Sequence, residues 1–113
     1  MNKIAIYYYI VANGKNPVRD FIESLDYKQR AKIRRVFLTV KEYGIPALGP
    51  HAKKLVGAPL WELRILGKDN IRILYTLFQG KIVILHGFIK KSIKTPKKEL
   101  EVALRRYHSL ISS

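Results

Sequence analysis

The stretch LWELRILGKDNIRILY, residues 60–75, decides the architecture. Two apolar runs flank the turn-prone Gly67-Lys68-Asp69-Asn70, the pattern of a β-hairpin. Side chains alternate along a strand, so Trp61, Leu63 and Ile65 point one way while Glu62 and Arg64 point the other. In the second run Ile71, Ile73 and Tyr75 form the apolar set, leaving Arg72 with Leu74 and Thr76. Matching the two apolar sets puts Arg64 and Arg72 on one face, because a slip of one residue would turn every side chain over. With a three-residue loop at 67–69 the arginines stand directly opposite; slipped by two, they are diagonal neighbours. Like charges so opposed cost up to about 1 kcal/mol. An anion between them removes that cost, and guanidinium groups grip phosphate oxygens in a fork. Glu62, on the same face, offers the plainer alternative of a surface ion network.

Working outward, a third run at 81–89 follows Gln79-Gly80, so strands at 60–66, 71–78 and 81–89 form an antiparallel meander. Near the start, IAIYYYIVA is too short to span a bilayer and lacks a cleavage site; its tyrosines suit a first strand. Asn16-Pro17 opens a helix by capping, with Val18, Phe21, Ile22 and Leu25 on one face. Asp26 caps a second helix from Tyr27 to Tyr43, striped by Ile33, Val36, Phe37, Val40 and Tyr43, and Gly44 ends it. Residues 45–59, with Pro46, Pro50 and Pro59, read as a loop. Thr95-Pro96 repeats the cap-plus-proline signal before a last helix carrying Leu100, Ala103, Leu104, Tyr107 and Ile111. The expectation is one α+β domain over residues 1–113, in the order β-α-α-β-β-β-α. Its mostly antiparallel sheet packs on the two N-terminal helices, and its other face stays open for chemistry.

Composition narrows the function. The chain of 113 residues has no cysteine, which removes disulfides, thiol nucleophiles and Cys-ligated zinc and fits a cytoplasmic protein. Twenty-two Lys and Arg against eight Asp and Glu give a net charge of +14, pointing to a polyanionic partner, with nucleic acid favoured over a membrane. The charge is uneven: between Gly44 and Lys98 the only acids are Glu62 and Asp69, against eleven Lys and Arg. No carboxylate cluster suits Mg²⁺, so no metal or other cofactor is expected. RNA can be cut without one, because the ribose 2′-OH attacks its own neighbouring phosphate given a base, cations and an acid. Glu62, the pair Arg64 and Arg72, and Lys90 or Lys91 suit those roles. His51, Lys53, Lys54, Lys91 and Lys94 are the candidate RNA contacts. His86, mid-strand among apolar residues, reads as a hydrogen-bonded core position, His108 as surface, and Trp61 as core first.

LWELRI, then IRILYTLFQGKIVILHGFIKK, then KTPKKELEVALRR resembles the phage-derived branch of the RelE/HigB toxin superfamily, over about Asn16 to Tyr107. The resemblance implies a small α/β toxin of a type II toxin–antitoxin pair that cuts mRNA in the ribosomal A site and is neutralised by an antitoxin, usually of helix-turn-helix type. It also implies that Arg72 stabilises the scissile phosphate and that Arg64 stands where the family has a strand lysine. Glu62 falls where RelE-type enzymes have a second lysine proposed as base, and Lys90 or Lys91 approximates a later arginine. Their tyrosine after the last strand has no counterpart here, since Tyr107 lies well inside the last helix. The rival expectations are a ParE-like gyrase poison on the same scaffold and a non-enzymatic nucleic-acid-binding module. An acidic antitoxin segment is expected either on the basic helix face, at Arg30, Arg34 and Arg35, or across the basic groove.

Overall fold

The helix signals act as their chemistry requires. In the computed structural model, which describes residues 3–112, the Asn16 side chain accepts from the Arg19 backbone N–H at 3.0 Å. Pro17 takes the first position of α1 (Pro17–Ser24), where a missing N–H is harmless. α2 (Tyr27–Tyr43) begins with a capping box: Asp26 accepts from the Gln29 N–H at 2.8 Å, and the Gln29 side chain accepts from the Asp26 N–H at 2.9 Å. Gly44 ends it at φ 84°, a value that disfavours any side chain. Along α2, Ile33, Phe37 and Val40 are buried and Val36 packs against them, but Tyr43 stays exposed.

Five strands form one mixed sheet in the order β1-β5-β4-β3-β2. β1 (Ile6–Tyr8) runs parallel to β5 (Lys81–Ile89), while β2 (Ala52–Lys54), β3 (Trp61–Arg64), β4 (Ile71–Phe78) and β5 pair antiparallel. β4 and β5 turn at Gln79 and Gly80, with φ of 51° and 75°, as a tight hairpin demands. Arg64 pairs directly with Arg72, the first of the two registers that the apolar pattern allows.

Two expectations are corrected. The segment 45–59 is not a plain loop. Ile45–His51 winds as a 3₁₀ segment broken at Gly49, and Ala52–Lys54 then pairs with β3 as a fifth strand. Its exposed lysines suit a sheet edge, where charge discourages further pairing. The second sheet face is also not left open. α1 and α2 pack on one side, around Leu63, Ile73, Tyr75 and Ile84. α3 (Lys97–Ile111) closes the other, bringing Leu100, Ala103, Leu104, Tyr107 and Leu110 onto Leu74, Val83, Leu85 and Phe88. Leaving those sheet residues in water would forfeit about 25 cal/mol for every Å² of apolar surface. Leu110, not Ile111, completes the helix stripe, and Ile111 is exposed.

α3 is also held by a polar latch. Between Leu74 and Tyr75 the β4–β5 register shifts, so Leu74 faces His86 and Tyr75 faces Ile84. Such a bulge re-aims side chains: Leu85 enters the second core, and His86 Nε2 lies 2.7 Å from Glu99 Oε1 on α3. Arg106 donates to the Leu85 carbonyl at 2.8 Å and lies 3.4 Å from His86 Nδ1. The neutral tautomer with its proton on Nε2 satisfies both contacts.

Burial holds the His86 pKa below its ordinary 6.5, outweighing the opposite pull of Glu99. The folded chain therefore binds fewer protons than the unfolded chain. Stability from this group is complete above pH 6.5 and is lost as pH falls through the lower folded value. Thermal unfolding should show a midpoint that declines as the pH falls from 6.5 toward that lower value, and His86→Gln should flatten the decline. An unchanged slope in the variant would assign it to other groups.

Candidate functional site

Apart from Thr76, which donates to the Pro59 carbonyl at 2.9 Å, the polar residues on the α3 side of the sheet gather near the start of α3. There the registered row Arg64–Arg72–Phe88 lies beside the row Glu62–Leu74–His86. Arg72 is only 7% exposed and Glu62 5%. The Arg72 Nη1 donates to the Ile71 carbonyl at 3.2 Å. Its Nε is buried with no hydrogen-bond partner, the one such side-chain atom among the described residues. The Glu62 Oε1 stands 4.0 Å from that Nε, near enough for attraction but outside hydrogen-bond reach.

Glu62 is held from the other side. Thr95 Oγ1 donates to Glu62 Oε2 at 2.5 Å. This corrects the reading of Thr95 as a helix cap: α3 starts at Lys97, and Pro96 precedes it with no side-chain cap. A carboxylate buried beside the hairpin offers Thr95 a charged acceptor, a stronger hydrogen bond than one to a neutral group. At the other end of the same loop, the Lys90 N–H donates to the Asn70 carbonyl at 2.8 Å. The chain leaving β5 is thereby led past the hairpin turn, where Asn70 adopts φ 54°.

The result is a shallow pocket of about 420 Å³ lined by Asn70, Arg72, Lys90, Lys91, Ser92 and Ile93. Three cations face it, and Glu62 is not among its lining residues. Such an arrangement can hold an anion of phosphate size among the three cations. Among the described residues no three His, Asp or Glu side chains converge as a metal site would need, and no helix is long and apolar enough to cross a membrane. Tyr75 takes no part, stacked on Trp61 in the other core with burial pushing its pKa to about 12.

The structure thus joins Arg72, Lys90 and Lys91, with Glu62 behind them, and separates several other candidates. Arg64 is exposed; it and His51 line a different groove, against α2. Lys53 lies opposite Glu62 in the β2–β3 register and is exposed. Lys54 turns to the Ala58 carbonyl, 2.8 Å away, and over the Trp61 ring. Lys94 is exposed and outside the pocket lining. On the helices, Arg30 donates to the Leu25 carbonyl at 2.5 Å and so closes the end of α1, while Arg34 and Arg35 are exposed. Asn70, Ser92 and Thr95 were not legible as site residues. The loop FIKKSIKTP carries the lysines conspicuously, but Thr before Pro reads as an end signal.

Removing the Thr95 hydroxyl should leave a buried carboxylate oxygen short of a donor, a defect of about 1–3 kcal/mol. Urea unfolding of Thr95→Val should show that loss, and Thr95→Ser should largely restore stability. Equal losses in both would assign the effect to packing of the methyl group.

Comparison with known proteins gives one family. The model described as Phage derived protein Gp49-like (DUF891) matches residues 20–108. The match covers more than three quarters of the chain, from within α1 to near the end of α3. No curated protein matches the chain.

Proposed function

The chain belongs to the phage-derived Gp49-like family, a toxin-like family of toxin–antitoxin systems, and we propose that it is a RelE/HigB-type endoribonuclease. In this reading it acts in the cytoplasm, cuts mRNA on the ribosome without a metal, and is neutralised by a helix-turn-helix antitoxin. The observation that carries the proposal is the buried Arg72 lining a pocket shared with Lys90 and Lys91, with no acid in the lining. A scissile phosphate seated there meets three cations, and hydrogen bonds from Arg or Lys to phosphate are roughly twice as strong as neutral ones.

The chemistry follows from charge. The ribose 2′-OH gives up its proton as its oxygen bonds to the adjacent phosphorus, the P–O5′ bond breaks, the 5′-oxygen takes up a proton in exchange, and a 2′,3′-cyclic phosphate remains. Negative charge grows on the phosphoryl oxygens during attack, and preorganised cations in a partly dry site are most effective at that moment. Arg72 stabilises that charge, with Lys90 and Lys91 beside it in the pocket lining. Glu62 lies outside the pocket lining and is hydrogen-bonded to Thr95, which supports a role as counter-ion aiming Arg72. Its role as the general base has less support.

Cleavage of a translated reporter mRNA, read by primer extension, tests this. Arg72→Ala should lower the cleavage rate about 10²–10³-fold, the usual effect of deleting a donor to a transition-state oxyanion. Glu62→Gln keeps an acceptor for Thr95 and should lose less than about tenfold, whereas removing a general base costs about 10²–10⁴-fold. A glutamine variant as inactive as Arg72→Ala would make Glu62 the base. Growth arrest with intact mRNA and blocked replication would instead favour a gyrase poison, and wild-type cleavage by Arg72→Ala would remove the site.

A further inference from the structure

A second cavity, of about 310 Å³, lies beside the hairpin between α2 and β3. On α2, Lys32, Arg35, Val36 and Thr39 line it, a spacing that puts all four on one helix face. Leu48, Leu63 and Ile65 supply buried aliphatic surface, and Leu66 is 59% exposed at its margin. β2 pairs no further along β3 than Ala52 with Leu63, so the cavity opens where that edge of the sheet loses its neighbour.

Its charge is one-sided. Lys32, Arg35 and Arg64 line it, no acid does, and none of the three forms an ion pair among the described residues. Lys32 reaches across to the hairpin turn, where its ammonium occupies the space a Cβ at Gly67 would need. Aliphatic walls with a cationic rim complement an amphipathic acidic peptide. Single-stranded RNA is a poorer match, because successive bases need a series of stacking platforms and His51 is the one aromatic ring in a lining dominated by Val36, Leu48, Leu63, Ile65 and Leu66.

We propose that this groove receives an acidic amphipathic segment of a protein partner, the antitoxin if the reading above is correct. Aliphatic side chains of the segment lie against Val36, Leu48 and Leu63, and its carboxylates pair with Lys32, Arg35 and Arg64. Arg64 links the groove to the RNA site, since it stands opposite Arg72 in the hairpin. Arg64 lines this groove and not the Arg72 pocket, so a carboxylate seated on it leaves that pocket uncovered.

The test uses the purified chain and three fluorescent probes: a synthetic peptide with leucines at helical spacing and glutamates elsewhere, a scrambled peptide of equal composition, and a short RNA. The exposed Thr39 permits Thr39→Trp, which fills the groove without changing charge, and Lys32→Gln with Arg35→Gln is the second variant. The amphipathic peptide should bind about tenfold tighter than the scrambled one, and either variant should erase that margin while RNA affinity moves less than about twofold. No peptide binding, equal binding of the two peptides, or a larger loss for RNA than for peptide would overturn the proposal. Arg72→Ala should leave peptide binding intact, so the groove and the cleavage site fail separately. Loss of peptide binding in that variant would place the peptide in the Arg72 pocket and overturn the groove.

Discussion

Arg72 and Glu62 are buried side by side on a sheet face whose apolar residues are packed against a helix. Desolvating two charges costs several kcal/mol per ion, and the attraction between them offsets this only when geometry is good. Here the separation is 4.0 Å and the guanidinium keeps an unused N–H. The pair is therefore a weak source of stability and a strong source of orientation. Everything near the start of α3 is arranged around it. Thr95 donates to Glu62, the Lys90 N–H reaches the Asn70 carbonyl, and the loop between them is anchored at both ends. A loop so fixed presents Lys90 and Lys91 beside Arg72.

The two sheet faces divide the work. Under α1 and α2 the core is apolar throughout and includes the stacked Trp61 and Tyr75. Under α3 the core is smaller, and it gives way toward the helix start to His86–Glu99 and then to Glu62–Arg72. The bulge in β5 makes that gradation possible, because Leu85 and His86 are consecutive yet both serve the α3 side. α3 is thus a lid over one core and, through the latch at its N-terminal half, a support for the site.

Much of this was legible in the sequence. The capping residues of α1 and α2, the extents of β4 and β5, the Gln79-Gly80 turn and the opposition of Arg64 and Arg72 all follow from local patterns. The candidate site was legible in part. Arg72 with Lys90 and Lys91 meet as the charge pattern suggests, but His51, Arg64 and Lys54 are drawn elsewhere. A lysine in a basic loop has no local signal for which way it turns. Lys54 found a carbonyl and a Trp ring, contacts set by how β2 lies on β3.

The sequence by itself determined the three helices, the meander strands, their order and the faces of the hairpin, because helical spacing, strand alternation and end-capping act within a few residues. Only the tertiary structure decided that Ala52–Lys54 joins the sheet, that α3 closes the second face, and that Thr95 meets Glu62 across 33 positions of chain. Those outcomes depend on which apolar surfaces and buried acceptors are left unsatisfied once the meander has formed, a requirement no short stretch of sequence contains. The hairpin at residues 60–75 spans both cases: its arginines were paired by pattern, and one was buried while the other was left exposed by packing alone.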